Sequence, residues 1–203
     1  LTEFSRNVLS GAFIEILDPA VSKHFVHFQV SASSAMLWER LGVDVTASIS
    51  WRYRFLAPLV SRLLIAMGGI HSDDSDTIES VLRRGAKGGP PVLELTVRSG
   101  KNTAATIRRA ARTLSRTGLR FRTLGLPILT KAFPVGGGGH YGGAFPMRTT
   151  ATAWNDTDVW GRLNGHKRVH LIDSSIFPSL PGTTTALTIM ANAHRIGDGA
   201  TID

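Results

Sequence analysis

No regular helix or central strand can run through PVGGGGHYGGAFP, residues 134 to 146, and this stretch divides the chain. Proline fixes φ and carries no N–H, so Pro134 and Pro146 interrupt any helix or ladder at either end, and the glycines between them favour irregular backbone. Gly137, Gly139 and Gly142 fit G-x-G-x-x-G, the pattern that lets backbone approach a pyrophosphate at a helix N-terminus. The context excludes that reading. The pattern needs a strand before it and a helix after it, and Pro146 falls among the residues that would form the helix. An acidic residue about twenty positions on is also lacking, because Asp156 and Asp158 come too early. The stretch reads instead as a glycine collar that presents His140.

A chain of 203 residues with 42% hydrophobic content can bury a sizeable core in one or two domains. Cysteine is absent, so a disulfide framework and a cysteine zinc site are excluded, and nothing points to an oxidising compartment. The longest apolar run, Phe55 to Ile70, has Arg62 in its middle and is too short for a membrane span. No secretory leader is visible, and the expected localisation is cytoplasmic, although the chain opens at Leu1 without a methionine. The net charge is +8 and unevenly placed: from Leu95 to Asn155 there is no acidic residue, against Arg98, Lys101, Arg108, Arg109, Arg112, Arg116, Arg120, Arg122, Lys131 and Arg148. Such a window could face an anion, but it has no nucleic-acid motif and few aromatics for stacking. A solvated helix face is the plainer reading, and no nucleic-acid partner is expected.

In KHFVHFQVSAS, Val26, Phe28, Val30 and Ala32 alternate with Phe25, His27, Gln29 and Ser31, which predicts a half-buried strand. RLLIAMGGIHS, TIESVLRR and VLELTVRS, separated by DDSD and GAKGGPP, predict three further short strands in an antiparallel meander. TAATIRRAARTLSRTG predicts a helix capped by Asn102 or Thr103, with Ile107, Ala110, Ala111 and Leu114 on one face and Gly118 as its stop. Beyond the collar, RVHLID predicts a strand ending at Asp173. TTTALTIMANAHRIG predicts a final helix with Thr183 or Thr184 as N-cap, Leu187, Met190, Ala191 and His194 along one face, and Gly197 at its exit.

Seven histidines raise the question of a metal. His24 with His27 and His166 with His170 have neither H-E-x-x-H spacing nor a matching carboxylate, so they read as surface or core residues and no metal is expected. Asp73, Asp74 and Asp76 lack the glycine and distal glutamate of a calcium loop and read as a turn. G-x-S-x-G, the serine hydrolase signature, does not occur.

Two segments together are specific. HYGGAFPM, followed by GRLNGHKRVHLIDSSIFPSLPGTTTALTIMANAHRIG, resembles the C-terminal part of the glucose-methanol-choline (GMC) flavin oxidoreductases. In that family H-x-x-G-T-x-x-M is followed by a glycine-containing turn, a strand ending in Asp-Ala-Ser, a Phe-Pro turn and a helix opening with Asn-Pro-x-Leu-Thr. The matching positions here are His140, Gly143 and Met147, then Gly165, Asp173 with Ser174 and Ser175, Phe177 with Pro178, and Leu187 with Thr188. The match is strong over residues 136 to 197, and residues 1 to 135 are compatible with the family's substrate-binding domain. Two positions depart from the pattern: Thr184 stands where the family has Asn or His, and Ala144 replaces the threonine after the glycine.

The resemblance implies an α/β protein in two parts. Residues 1–135 would be an α+β portion of a substrate-binding domain with an antiparallel sheet. Residues 136–203 would supply a strand and helix completing a Rossmann-like FAD domain. The family's N-terminal G-x-G-x-x-G segment, which carries most of the FAD grip, is not found here, so the chain is expected to be a C-terminal fragment of a longer enzyme. The implied activity is FAD-dependent oxidation of a small-molecule alcohol (a CH-OH donor) to a carbonyl, with hydride transfer to flavin N5 and oxygen, a quinone or a protein as electron acceptor. His140 and Thr184 would be catalytic, and Asp173, Ser174, Thr185 and Ala186 would contact the cofactor. Imidazole exchanges a proton near neutral pH, flanking glycines permit close approach, and a helix N-terminus stabilises negative charge on a reduced flavin. The alternative is a non-catalytic module that binds an anionic partner through the basic window.

Overall fold

A computed structural model describes residues 12–32, 62–85, 88–138 and 140–199. Gly139, the centre of the GAKGGPP turn and the start of the apolar run at Phe55 lie outside the described residues. The chain forms two units, Leu1–Glu15 with His27–Gly69 and Ile16–Val26 with Ile70–Asp203.

Most of a three-stranded sheet belongs to the first unit: β1 (Ala12–Ile16), β2 (Val26–Ala32) and β3 (Leu64–Gly69), in the order β1-β2-β3. β2 and β3 are antiparallel, with His27 opposite Gly69 and Ala32 opposite Leu64. The Phe28 ring lies across Gly68, where an added Cβ would come within 2.5 Å of it. The strand expected at β2 is present, but its burial departs from the expected alternation: His27 and Ser31 on the polar side are buried along with Val26, whereas Phe28 and Val30 are half-buried. The His27 ring stacks on Phe13 at 5.5 Å.

In the second unit β4 (Thr77–Arg83) and β5 (Val92–Arg98) pair antiparallel, from Thr77 opposite Arg98 to Arg83 opposite Val92. Ile78, Leu82, Leu93, Leu95 and Val97 share one exposed face by this register. On the other face Arg83 meets Glu94 at 2.5 Å and Arg98 meets Glu79 at 2.6 Å. These exposed pairs contribute about 0–1 kcal/mol each. The expected meander is thus corrected: β3 returns to β2, and β4 and β5 form a separate sheet. Just before β4, Asp76 Oδ1 accepts from Gly100 N and Thr103 Oγ1, both at 2.8 Å, and ties the start of the strand to the next helix.

That helix, α1 (Thr103–Gly118), buries Thr106 and Ala110 and half-buries Ile107, Ala111 and Leu114, as the spacing predicts. Asn102 holds the N-cap position without a side-chain bond. The helix ends at Gly118 as expected, with Gly118 itself at a helical φ of −53° and the left-handed residue at Arg122, +56°. Thr123 makes this possible by donating both its N–H and its hydroxyl to the Gly118 carbonyl, each at 2.9 Å.

The second helix, α2 (Ala186–Gly199), starts and faces differently from expectation. Ile189 N donates to Thr185 O at 2.9 Å, so Thr185 is the capping position rather than Thr183 or Thr184. Leu187 and Met190 are exposed, and the inward stripe is Thr185, Ile189 and Ile196, with Asn192 and Ala193 half-buried. The helix also continues past Gly197. The predicted strand at RVHLID is an extended segment with a single bridge, His170 to Arg162, because its neighbour is a loop and offers no ladder. Among the described residues no helix is long and apolar enough to cross a membrane.

Candidate active site

The segment after His140 is fastened along the turn at Ser174–Ile176. Gly143 N donates to Ser174 O at 3.1 Å, Phe145 N to Ser175 O at 2.8 Å and Met147 N to Ile176 O at 2.7 Å. The Ser174 hydroxyl donates to the Tyr141 carbonyl at 2.5 Å, and the Tyr141 hydroxyl donates to Gly136 O. Ile176 is fully buried at the end of this seam. Glycine is required at 142, where a Cβ would collide with the Ser174 carbonyl and lie 3.1 Å from Leu180. Gly142→Ala is therefore expected to lower stability by about 1–3 kcal/mol, as overpacking against backbone does. Chemical denaturation measures this, and an unchanged midpoint would show that the seam yields freely.

The loop from Arg148 to Asn164 braces the other side of the seam. Thr157, fully buried, donates its hydroxyl to Phe145 O at 3.1 Å and its N–H to Pro146 O at 3.1 Å. Asn155 reaches Ala144 O at 3.0 Å. Asp156 organises the loop: its Oδ2 accepts from Ala153 N at 2.8 Å and Thr152 N at 3.0 Å. These N–H donors, Ala153 first, hold the Asp156 carboxyl below the usual carboxylate range. A depressed carboxyl pKa contributes stability that is present above the unfolded pKa of about 3.9 and is lost as pH falls through the folded value. Asp156→Asn is expected to flatten the acid limb of a melting-temperature profile below that pH, and an unaltered limb would contradict this assignment.

Asp173 caps the turn by accepting from Ser175 N at 3.0 Å and from the Ser175 hydroxyl. Beyond it the chain is pinned at Leu180, whose carbonyl accepts from Ser72 N at 2.9 Å and whose N–H donates to Ser72 Oγ at 3.0 Å. α2 follows. Its Arg195 anchors the loop by donating to Val159 O at 2.6 Å and covers the Trp160 ring at 5.4 Å.

The structure brings the segment that carries His140 onto Ser174 and the Asp173 cap. His140 is exposed, and Thr184 and Ala186 are exposed at the α2 entrance beside the buried Thr185. Among the described residues no hydrogen bond joins His140 to Thr184. Sequence reasoning misses the bracing residues Thr157, Ser72 and Arg195, whose partners are distant in sequence, and Asp156, whose partners lie in an irregular loop without periodic pattern.

Residues 81–193, more than half of the chain, match the model of the GMC oxidoreductase family. The chain belongs to that family, as a C-terminal part of such an enzyme. The matched region includes the collar, the seam, the Asp173 turn and the opening of α2. Compared with curated proteins and with solved structures, the chain matches none.

Members of this family generally bind FAD, and the residues at the start of α2 fit such a group. The N–H groups of Ala186, Leu187 and Thr188 precede the first helical bond, made by Ile189, and have no backbone acceptor among the described residues. Leu187 is 77% exposed, so this end of the helix is open. An open N-terminus of this kind favours an electron-rich ring or an anion.

Proposed function

We propose that this chain supplies the acid-base side chain and part of the flavin-facing wall of an enzyme that oxidises a small alcohol to a carbonyl. The observation that carries the reading is the seam of three backbone bonds between residues 143–147 and 174–176, which fixes the base of the His140 loop beside the Asp173 turn. Bound FAD would supply the acceptor for the hydride that leaves the carbinol carbon. His140 would take the hydroxyl proton, so that the C–H and O–H bonds of the alcohol break and a C=O bond forms. Thr184, exposed and outside the cap position, would donate a hydrogen bond to the substrate oxygen. Asp173, Ser174, Thr185 and Ala186 would line the cofactor, with Ser174 acting as a strut through Tyr141. Adding primary and secondary alcohols anaerobically to the flavin-loaded enzyme tests the proposal. Loss of oxidised-flavin absorbance supports it, and persistence with every alcohol class contradicts it.

A second reading is favoured by one observation. Arg108, Arg109, Arg112 and Arg116 are exposed on α1 and make no ion pair among the described residues. A module binding an anionic partner through this face would show affinity that falls steeply with salt and is indifferent to His140→Ala.

A further inference from the structure

The expectation that the histidines hold no metal rested on spacing along the chain, yet the fold gathers donors from two distant segments of the second unit. The His24 and His71 rings lie face to face, with centroids 3.5 Å apart and planes 14° apart. Asp73 meets both: its Oδ2 is 3.0 Å from His24 Nε2, and its Oδ1 is 3.6 Å from His71 Nδ1. One donor atom from each of the three residues falls within 4.8 Å of the others.

We propose that His24, His71 and Asp73 form a binding site for a divalent transition ion of the zinc type. Two imidazoles and one carboxylate are the donor set that zinc and its neighbours prefer, whereas calcium and magnesium require oxygen ligands throughout. Donors bound at about 2.0–2.2 Å around such an ion stand about 3.0–3.6 Å from one another, and the three donors here, within 4.8 Å of one another, need to draw in only slightly to bind it. The frame is held independently of the donors. Ser22 Oγ donates to the buried Asp74 at 2.5 Å and accepts from His24 N at 2.9 Å, which fixes the His24 segment on the turn at 72–74.

Binding requires the stacked rings to splay so that both nitrogen lone pairs converge, and the hydrogen bond between His24 Nε2 and Asp73 Oδ2 to give way to the ion; two further contacts must also yield. The Lys23 ammonium sits 3.0 Å from Asp73 Oδ2, and Asp73 N donates to His71 Nδ1 at 3.1 Å. The ammonium already marks the carboxylate as a cation position, and Lys23 is 69% exposed, free to swing into water. An ion here would stiffen the turn whose Ser72 pins Leu180, upstream of α2.

Calorimetric titration of the chain with zinc alone, near neutral pH, tests the site. One ion per chain is expected, with a melting temperature raised by zinc and restored by a chelator. His24→Gln and Asp73→Asn are each expected to weaken uptake at least about tenfold, the scale on which even supporting residues of metal sites act. Lys23→Ala is expected to tighten it by removing the competing ammonium. His194→Gln, which alters the separate His194–Asp198 pair on α2, should leave it unchanged. No uptake up to millimolar zinc overturns the proposal, as does uptake indifferent to His24→Gln and Asp73→Asn or weakened by Lys23→Ala. Should a ligand variant fail to fold, wild type and Lys23→Ala decide the matter by themselves.

Discussion

His140→Ala is expected to slow reduction of the bound flavin by about a hundredfold to ten-thousandfold, with the flavin retained, because that is the range general acid-base catalysis contributes. The side chain is exposed and stands outside the seam bonds, which run through the backbone of Gly143, Phe145 and Met147. Its removal therefore leaves the seam and the α2 entrance intact, and stability should hardly change. Stopped-flow mixing with an alcohol reads the rate, and the flavin spectrum reads retention. A reduction rate equal to wild type would take His140 out of the mechanism; loss of the flavin would mean that the residue supports the cofactor.

Thr184→Val is expected to slow the same step by about tenfold to a hundredfold. A hydrogen bond to a charged or alkoxide-like oxygen contributes about 1.5–3 kcal/mol, and each 1.36 kcal/mol is tenfold in rate. Valine keeps the shape and loses the hydroxyl. Position 184 precedes the cap, since the first helical bond of α2 ends on Thr185 O. The substitution should therefore spare the melting temperature, whereas loss of a capping side chain typically costs about 1 kcal/mol. Normal flavin reduction with lowered stability would reverse the assignment and leave His140 working without a hydroxyl at this position.

The parts that could be read from the chain are those in which local chemistry decides. The existence of β4 and β5, the apolar stripe of α1, and the His140 and Asp173 motifs of the GMC family all depend on near neighbours in sequence. Partner choice could not be read that way. β3 pairs with β2 rather than with β4, and Asp76 at the head of β4 bonds Gly100 and Thr103, partners more than twenty residues away. The left-handed turn after α1 falls on Arg122, where Thr123 closes it with two bonds to the Gly118 carbonyl. The buried side of α2 is likewise not set locally: Leu187 and Met190 are apolar and periodic, but packing covers Ile196 fully and Ile189 in part. His24 and His71 lie far apart in sequence, and contacts between their segments, Ser22 with Asp74 and Lys23 and His24 with Asp73, bring their rings together.

The central claim is that the loop carrying His140 and the open end of α2 belong to one alcohol-oxidising site. A single anaerobic turnover with an alcohol deuterated at the carbinol carbon tests it most directly. The account predicts one carbonyl product for each flavin reduced, with the transferred deuterium missing from that product, and a turnover strongly slowed in His140→Ala. Flavin that stays oxidised, or flavin reduction with the alcohol recovered unchanged, would contradict it.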